Sequence, residues 1–172
     1  MKNRPRKLIR PLVALLLFQL ATPGWGLTIL PESSHFSGTS SIFKSMGNNE
    51  VISGRLEYAV YDTQANPNEF TGLDGYQAPG EGRFVYAYQL FLDSTNGYDL
   101  TNVGTDYFAV AGISQSTLES AVVGFTANEG TTGVEPATAL KEFTGEEDNN
   151  KAAWDFTGNE LDPGAWSLFL LI

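Results

Sequence analysis

The chain has 172 residues and no cysteine, and its 20 acidic residues outnumber 10 Lys and Arg, giving a formal net charge of −10. The lack of cysteine excludes disulfides, thiol catalysis and cysteine-ligated metals. The acidic balance argues against nucleic acid as a partner, because a surface of this sign repels phosphate backbones. The aromatic and branched content is too high for a disordered chain.

The first 26 residues have the organisation of a secretory signal peptide. Five basic residues lie within the first ten positions, and the apolar run PLVALLLFQLA follows them. The next residues, TPGWG, supply helix breakers and small side chains, which predicts cleavage after Gly26. The apolar run is far shorter than the roughly 20 residues of a spanning helix. We therefore expect an exported mature domain, residues 27–172, in which five basic residues face 20 acidic ones for a net charge of −15.

The remaining chain is organised as short apolar runs between Gly- and Pro-rich turns, with few helical signals. The runs predicted as strands are HFSGTSSIFKS, VISGRLEYAVYD, GRFVYAYQLFLD, GTDYFAVAGI, TLESAVVGFTA, KAAWDFTG and AWSLFLLI. Several short strands of this kind predict an all-β domain. We expect a single antiparallel β-sandwich, immunoglobulin-like or jelly-roll-like, over residues 27–172.

The run GRFVYAYQLFLD has large side chains on one face and smaller, mixed ones on the other. Strands that are apolar on both faces usually lie centrally in a two-layer structure, so we expect Tyr86 and Tyr88 to face the core. The alternative is an aromatic platform for a ligand. GRLEYA and GRFVYA share Gly, Arg, Tyr and Ala in register, which predicts that these two strands are neighbours in one sheet. We predict that the long polar loop between them projects from the framework of strands, where binding residues often lie.

Two turns have a clear chemical basis. Asn96-Gly97 is a pair that tolerates positive φ after the third run. LDPG places Pro163 and Gly164 for a tight reversal, which predicts a hairpin between the last two runs.

Acidic loops make calcium the one cofactor for which the sequence offers candidate ligands. DSTNGYD brings Asp93, Asn96 and Asp99 into one turn, and a second loop contains Glu146, Glu147 and Asp148. Calcium takes six to eight oxygen ligands from loops of this composition, although the spacing is not that of an EF-hand. A solvated acidic surface accounts for the same residues.

The catalytic inventory is poor, and no catalytic residue is predicted. His35 is the single histidine, and neither Gly-rich phosphate-binding motif is present. Two carboxyl groups facing each other, as in glycosidases, are compatible with the acid content, but sequence alone does not give their separation. The candidate rings for glycan stacking are Trp154, Trp166 and Tyr76, although core packing accounts for most aromatic residues here.

Four segments together resemble secreted bacterial proteins that carry a PEP-CTERM sorting tail: LEYAVYD, GEGRFVYAYQLF, YFAVAGI and AAWDFTGNELDPGAWSLFLL. The resemblance covers roughly Gly54 to Leu171. It implies an extracellular β-sandwich exported by bacteria that have exopolysaccharide or biofilm systems, and it transfers no catalytic residue. The Pro-Glu-Pro motif, apolar helix and basic tail of that pattern are missing. Because the chain stops within AWSLFLLI, we expect a truncated product whose remainder carried a surface anchor.

These observations favour an exported, non-catalytic β-sandwich domain of the bacterial cell surface or extracellular matrix. The expected partners are extracellular polysaccharide or other surface proteins, with membrane contact only through the signal peptide or a missing C-terminal anchor. Three alternatives stay open: a carbohydrate-binding module, a calcium-dependent adhesion module and a secreted glycosidase. An exposed row of aromatic rings would favour the first, and converging loop carboxylates would favour the second.

Overall fold

A computed structural model describes residues 30–67, 83–95, 97, 100–126 and 133–172. The predicted signal peptide, residues 1–26, lies outside this part of the chain, as do Tyr76, Asn96 and Asp99. The described residues form antiparallel sheets with little helix, so the predicted all-β, sandwich-like fold is confirmed.

The described elements follow the predicted runs closely in the first half of the chain and less closely in the second. In chain order they are β1 (Phe36–Gly47), β2 (Glu50–Asp62), β3 (Phe84–Leu92), β4 (Thr101–Asn102), β5 (Tyr107–Ile113), α1 (Gln115–Ser120), β6 (Gly124–Phe125), β7 (Thr138–Glu142), β8 (Asn150–Asp155) and β9 (Leu170–Leu171). The sequence patterns did not predict β4 and β7.

The strands form two sheets. The large sheet has the order β1-β2-β3-β9-β6, and β4 adds to it by pairing in parallel with β2. The small sheet has the order β5-β8-β7. Side chains from both sheets meet in one buried cluster that includes Leu90 and Leu92 from β3 and Ala152 and Trp154 from β8. The inner face of the large sheet is thus the face that carries the even-numbered residues of β3.

The predicted neighbours GRLEYA and GRFVYA do lie side by side, because β2 pairs with β3 over nine residues. Ala59 lies opposite Ala87 in this pairing. At Gly54 the backbones approach so closely that an added Cβ would lie 2.0 Å from the carbonyl oxygen of Phe91. A glycine is therefore needed at this position for the two strands to pair.

The predicted hairpin between the last two runs is wrong. β8 lies in the small sheet, whereas the residues after LDPG run antiparallel to β3 in the large sheet. This pairing starts where the Gly164 N–H donates to the Leu92 carbonyl (3.1 Å) and ends with two hydrogen bonds between Ile172 and Tyr86 (2.9 and 3.0 Å). Gly164 has the expected positive φ of 85°. The turn exists, but it carries the chain from one sheet to the other.

The predicted strand TLESAVVGFTA is also corrected, because its first residues belong to helix α1. Ser114 precedes the helix, and its hydroxyl accepts a hydrogen bond from the Thr117 N–H (3.3 Å), which is an N-cap. Leu118 is the buried residue of this helix and packs into the cluster between the sheets. Among the described residues of the predicted run, Gly124 and Phe125 are the two that lie in a strand.

The opposite face of the large sheet is covered by residues just after the predicted cleavage site. Leu30 packs there with Tyr61, Val85 and Phe169. The Leu30 N–H donates to the Gln89 side-chain oxygen (3.2 Å), and the Tyr61 hydroxyl donates to the Pro31 carbonyl. β3 is consequently buried on both faces over most of its length, as its apolar pattern predicted.

Candidate functional site

The inner face of the large sheet carries a row of aromatic side chains that crosses three strands. Tyr58 on β2 lies directly opposite Tyr88 on β3, and Tyr86 lies opposite Val60, which in turn lies opposite Phe36 on β1. Direct cross-strand partners point to the same face, and so do residues two apart along one strand. Phe36, Tyr58, Tyr86 and Tyr88 therefore share this face.

The small sheet covers only part of the row. Tyr88 lies against Trp154 and Phe108, with ring centroids 6.3 and 6.4 Å away, and the last two rings stack at 5.8 Å. Trp154 is fully buried, and its indole N–H donates to the Gly124 carbonyl (2.6 Å). Trp154 was a candidate for glycan stacking, but this placement corrects that interpretation, since a ring buried on both sides offers no face to a ligand.

Beyond the edge of the small sheet the row is open. Tyr86 is 41% exposed and Phe36 is 55% exposed. The Phe36 ring lies 5.8 Å from the Tyr58 ring. We call Phe36, Tyr58 and Tyr86 the aromatic face. The expectation that Tyr86 faces the core is therefore wrong, whereas Tyr88, two residues further on, does pack against the core.

A groove of about 280 Å³ lies where the open and covered parts meet. Tyr86 and Tyr88 form one wall, and the other is formed by residues of β5 and the start of α1, namely Val110, Gly112, Ile113, Ser114 and Thr117. The second wall is shaped by a bulge between Val110 and Ile113, where Gly112 has a φ of 78°. A side chain other than glycine is strained at this φ, so Gly112 is suited to the bulge that shapes this wall.

The side chains of two tyrosines line the groove. Burial raises the pKa of Tyr88 to about 12, with a smaller contribution from the nearby Tyr86. No described residue hydrogen-bonds the hydroxyl of either tyrosine. Ser114 and Thr117 add polar side chains on the opposite wall. The groove thus combines ring surfaces with uncharged hydrogen-bonding groups, which is the usual composition of a small-molecule site.

Of the other two residues predicted for glycan stacking, Trp166 is not among the residues that line this groove. Trp166 is partly buried in the strand-like segment that pairs with β3, where it forms a bridge with Phe91. Its carbonyl accepts from the Val134 N–H (2.7 Å). Tyr76 lies outside the described residues.

The long loop between β2 and β3 is fastened at both ends beside the aromatic face. The Arg83 guanidinium donates two hydrogen bonds to Asp62 Oδ2, at 2.7 and 3.1 Å. The Thr63 N–H donates to the Arg83 carbonyl (2.9 Å). The hydrogen bonds from Arg83 lower the pKa of Asp62 to about 2. The ends of the loop are held together, and residues 68–82 between them lie outside the described part.

The predicted calcium ligand Asp93 belongs to a network of neutral partners. The Ser53 hydroxyl is within hydrogen-bonding distance of Asp93 Oδ2 (3.1 Å) and of Asn102 Oδ1 (3.0 Å). The Asn102 amide donates to the Asp93 carbonyl (2.7 Å). These bonds join β4 to the end of β3. Asn96 and Asp99, the other two ligands predicted for this turn, lie outside the described residues.

The second acidic loop is held by hydrogen bonds from a buried side chain, Asn150, which was not predicted from the sequence. Asn150 is fully buried, and its amide donates to the carbonyls of Ile113, Glu146 and Glu147 (3.1 to 3.2 Å). Its side-chain oxygen accepts from the Thr144 N–H (3.1 Å). The side chains of Glu146, Glu147 and Asp148 are exposed. Within the described residues, no three acidic or histidine side chains converge as a metal site would require.

Local sequence carried a signal for the aromatic face, although the sequence analysis did not use it. Gly38 lies opposite Tyr58, and an added Cβ at Gly38 would lie 2.6 Å from the Tyr58 hydroxyl oxygen. A glycine in one strand leaves room for an aromatic ring from the neighbouring strand. The ring can then lie flat across the sheet at that position. Phe36, two residues before Gly38, is then on the same face.

Comparisons with family models, with curated proteins and with solved structures gave no match for this chain. The resemblance to PEP-CTERM proteins therefore stays a prediction. Within the described residues, no helix is long and apolar enough to span a membrane.

Proposed function

We propose that this protein is an exported, non-catalytic β-sandwich that binds an uncharged polysaccharide at the bacterial cell surface or in the extracellular matrix. The observation that carries the proposal is the aromatic face, which leaves Tyr86 and Phe36 exposed beside a groove of about 280 Å³. The basic start, the short apolar run and the resemblance to secreted proteins support export and an extracellular location.

Sugar rings present C–H groups on their faces and hydroxyl groups around their edges. A tyrosine matches both, because its ring is apolar and its hydroxyl can donate or accept a hydrogen bond. Tyr86 and Tyr88 provide two such side chains on one groove wall, and Ser114 and Thr117 provide hydroxyl groups on the other. This arrangement favours one or two sugar residues seated in the groove, with the polymer continuing over the aromatic face.

The charge of the chain determines which polysaccharides fit. The net charge is −10 for the whole chain and −15 after the predicted cleavage. A polymer of uronic acids or sulfated sugars would be repelled by this surface, and the described residues that line the groove include no basic side chain. A neutral polymer pays no such penalty, so the proposed ligand is an uncharged glycan.

Affinity electrophoresis in gels containing a neutral β-glucan or, separately, an anionic alginate tests the proposal. We expect the neutral polymer to retard the wild-type protein and the Tyr86→Ala variant to lose this retardation. The matched control is Tyr107→Ala, because Tyr107 is also 41% exposed but lies on the outer face of the small sheet. Equal retardation of both variants, or retardation by alginate alone, would contradict the proposal.

A further inference from the structure

Strand β1 is the edge of the large sheet, and it differs from every other edge strand in the described structure. Its 12 residues, Phe36–Gly47, are mostly exposed, and no described strand pairs with its outer side. An edge strand of this length is, in general, a template for pairing with another strand.

The other edges carry the features by which proteins prevent such pairing. β6 has only two residues, and β7 has five, including Lys141 and Glu142. β5 is interrupted by the bulge between Val110 and Ile113. Short strands, charges and bulges all discourage edge-to-edge association. β1 has no proline, its one irregularity lies at its end beside the turn, and Lys44 is its single charged residue.

The charge of β1 also distinguishes it from the rest of this acidic chain. It contains no Asp or Glu, although the chain has 20. Phe36, Phe43 and Met46 are each about half exposed on it. Pairing through β1 would bring together two strands that carry no acidic side chain, which limits the repulsion between two acidic copies.

We propose that two copies of this chain pair through β1, antiparallel about a twofold axis, to form one continuous sheet. A twofold axis perpendicular to the sheet keeps the same face of both copies on the same side, so paired residues must belong to the same face. A register with Ser41 on the axis satisfies this condition. It places the exposed Phe36 opposite Met46 of the second copy and keeps the two Lys44 side chains apart.

This dimer would place both aromatic faces on one side of the continuous sheet. Together with the proposed polysaccharide ligand, on which this consequence rests, two neighbouring faces would let one polymer chain contact both copies and raise the apparent affinity. The pairing itself needs no ligand, so it can be tested without one.

Sedimentation equilibrium of the full chain is the test. We expect a reversible dimer that becomes more stable as salt rises, because salt screens the repulsion between two acidic chains. Ser41→Glu should weaken dimerisation at least about tenfold, since it places like charges directly opposite each other. Ser116→Glu adds the same charge at an exposed position of α1 and should leave the dimer unchanged.

A crosslinking experiment tests the register, because the chain has no cysteine of its own. Ser41→Cys should form a covalent dimer rapidly on oxidation, and Ser116→Cys should not. Ser41 and Ser116 are both exposed, so both proteins should fold, and an unchanged melting temperature would show this. A wild-type monomer at every concentration, or a dimer that Ser41→Glu and Ser116→Glu affect equally, would overturn the proposal.

Discussion

Tyr86 and Tyr88 lie two residues apart on the same face of β3, yet their surroundings differ. Tyr88 contacts the rings of Trp154 and Phe108 from the small sheet. Tyr86 is 41% exposed. Its cross-strand neighbour is Val60 on β2, which also belongs to the large sheet. The small sheet therefore covers one half of the inner face and leaves the other half open.

One apolar pattern along a single strand can therefore supply both a buried core residue, Tyr88, and an exposed ring, Tyr86. Alternation decides which face a side chain points to, but the extent of the opposing sheet decides whether that face is buried. The bulge in β5 lies between Val110 and Ile113, which line the groove together with Tyr86 and Tyr88. The groove lies at this boundary, and so does the site that we propose for a glycan.

The largest effect is expected in the covered half. Trp154→Ala should lower the free energy of unfolding by about 3 to 5 kcal/mol, the range for large buried aromatic residues. The change removes the ring contacts with Tyr88 and Phe108 and the hydrogen bond to Gly124. Urea unfolding measures the loss, and Trp166→Ala, at a partly buried position, is the comparator that should lose less. A larger loss for Trp166→Ala would contradict the assignment of Trp154, rather than Trp166, to the centre of the core.

Asn150→Asp should have the next largest effect. The new carboxylate would face three carbonyl oxygens that now accept hydrogen bonds from the Asn150 amide. Leaving buried groups unpaired in this way should cost about 2 to 4 kcal/mol at neutral pH. Asn149→Asp is the matched control, because Asn149 is exposed and its amide donates to the exposed Glu146 side chain. Similar losses in the two variants would show that the buried amide does not organise this loop.

A smaller effect concerns pH at the open end of the sheet. The pKa of Asp62 falls from 3.8 to about 2, mainly through the hydrogen bonds from Arg83. A carboxyl group whose pKa is lower in the folded state stabilises the fold above about pH 4, and this stabilisation is lost as the pH falls towards 2. Arg83→Gln should therefore flatten the acid side of a melting-temperature profile, whereas Arg55→Gln should keep it. An unchanged profile for Arg83→Gln would contradict this role of the ion pair.

Much of the fold was predictable because its signals are local. Alternation located β1, β2, β3, β5 and β8, and the shared residues of GRLEYA and GRFVYA predicted that β2 and β3 are neighbours. The final run was misplaced because AWSLFLLI is apolar on both faces. A turn signal predicts that the chain reverses, but it does not say which sheet receives the next strand.

The candidate site was harder to predict because exposure depends on distant parts of the chain. Trp154 and Tyr86 both occur in alternating strands, and no local pattern shows that the small sheet buries one and stops short of the other. The role of Asn150 was hard to predict for the same reason, since its hydrogen-bond acceptors include the carbonyl of Ile113 on another strand. By contrast, the Gly38–Tyr58 pair shows how a glycine in the sequence can mark an exposed ring.

The boundary between the covered and open halves is tested most directly by comparing Tyr86→Ala with Tyr88→Ala in urea unfolding. The two changes remove the same side chain from the same face of one strand. We expect Tyr88→Ala to lose about 2 to 4 kcal/mol, because its ring packs against the core, and Tyr86→Ala to lose less than about 1 kcal/mol. Equal losses, or a larger loss for Tyr86→Ala, would show that the small sheet covers both tyrosines and that the aromatic face is part of the core.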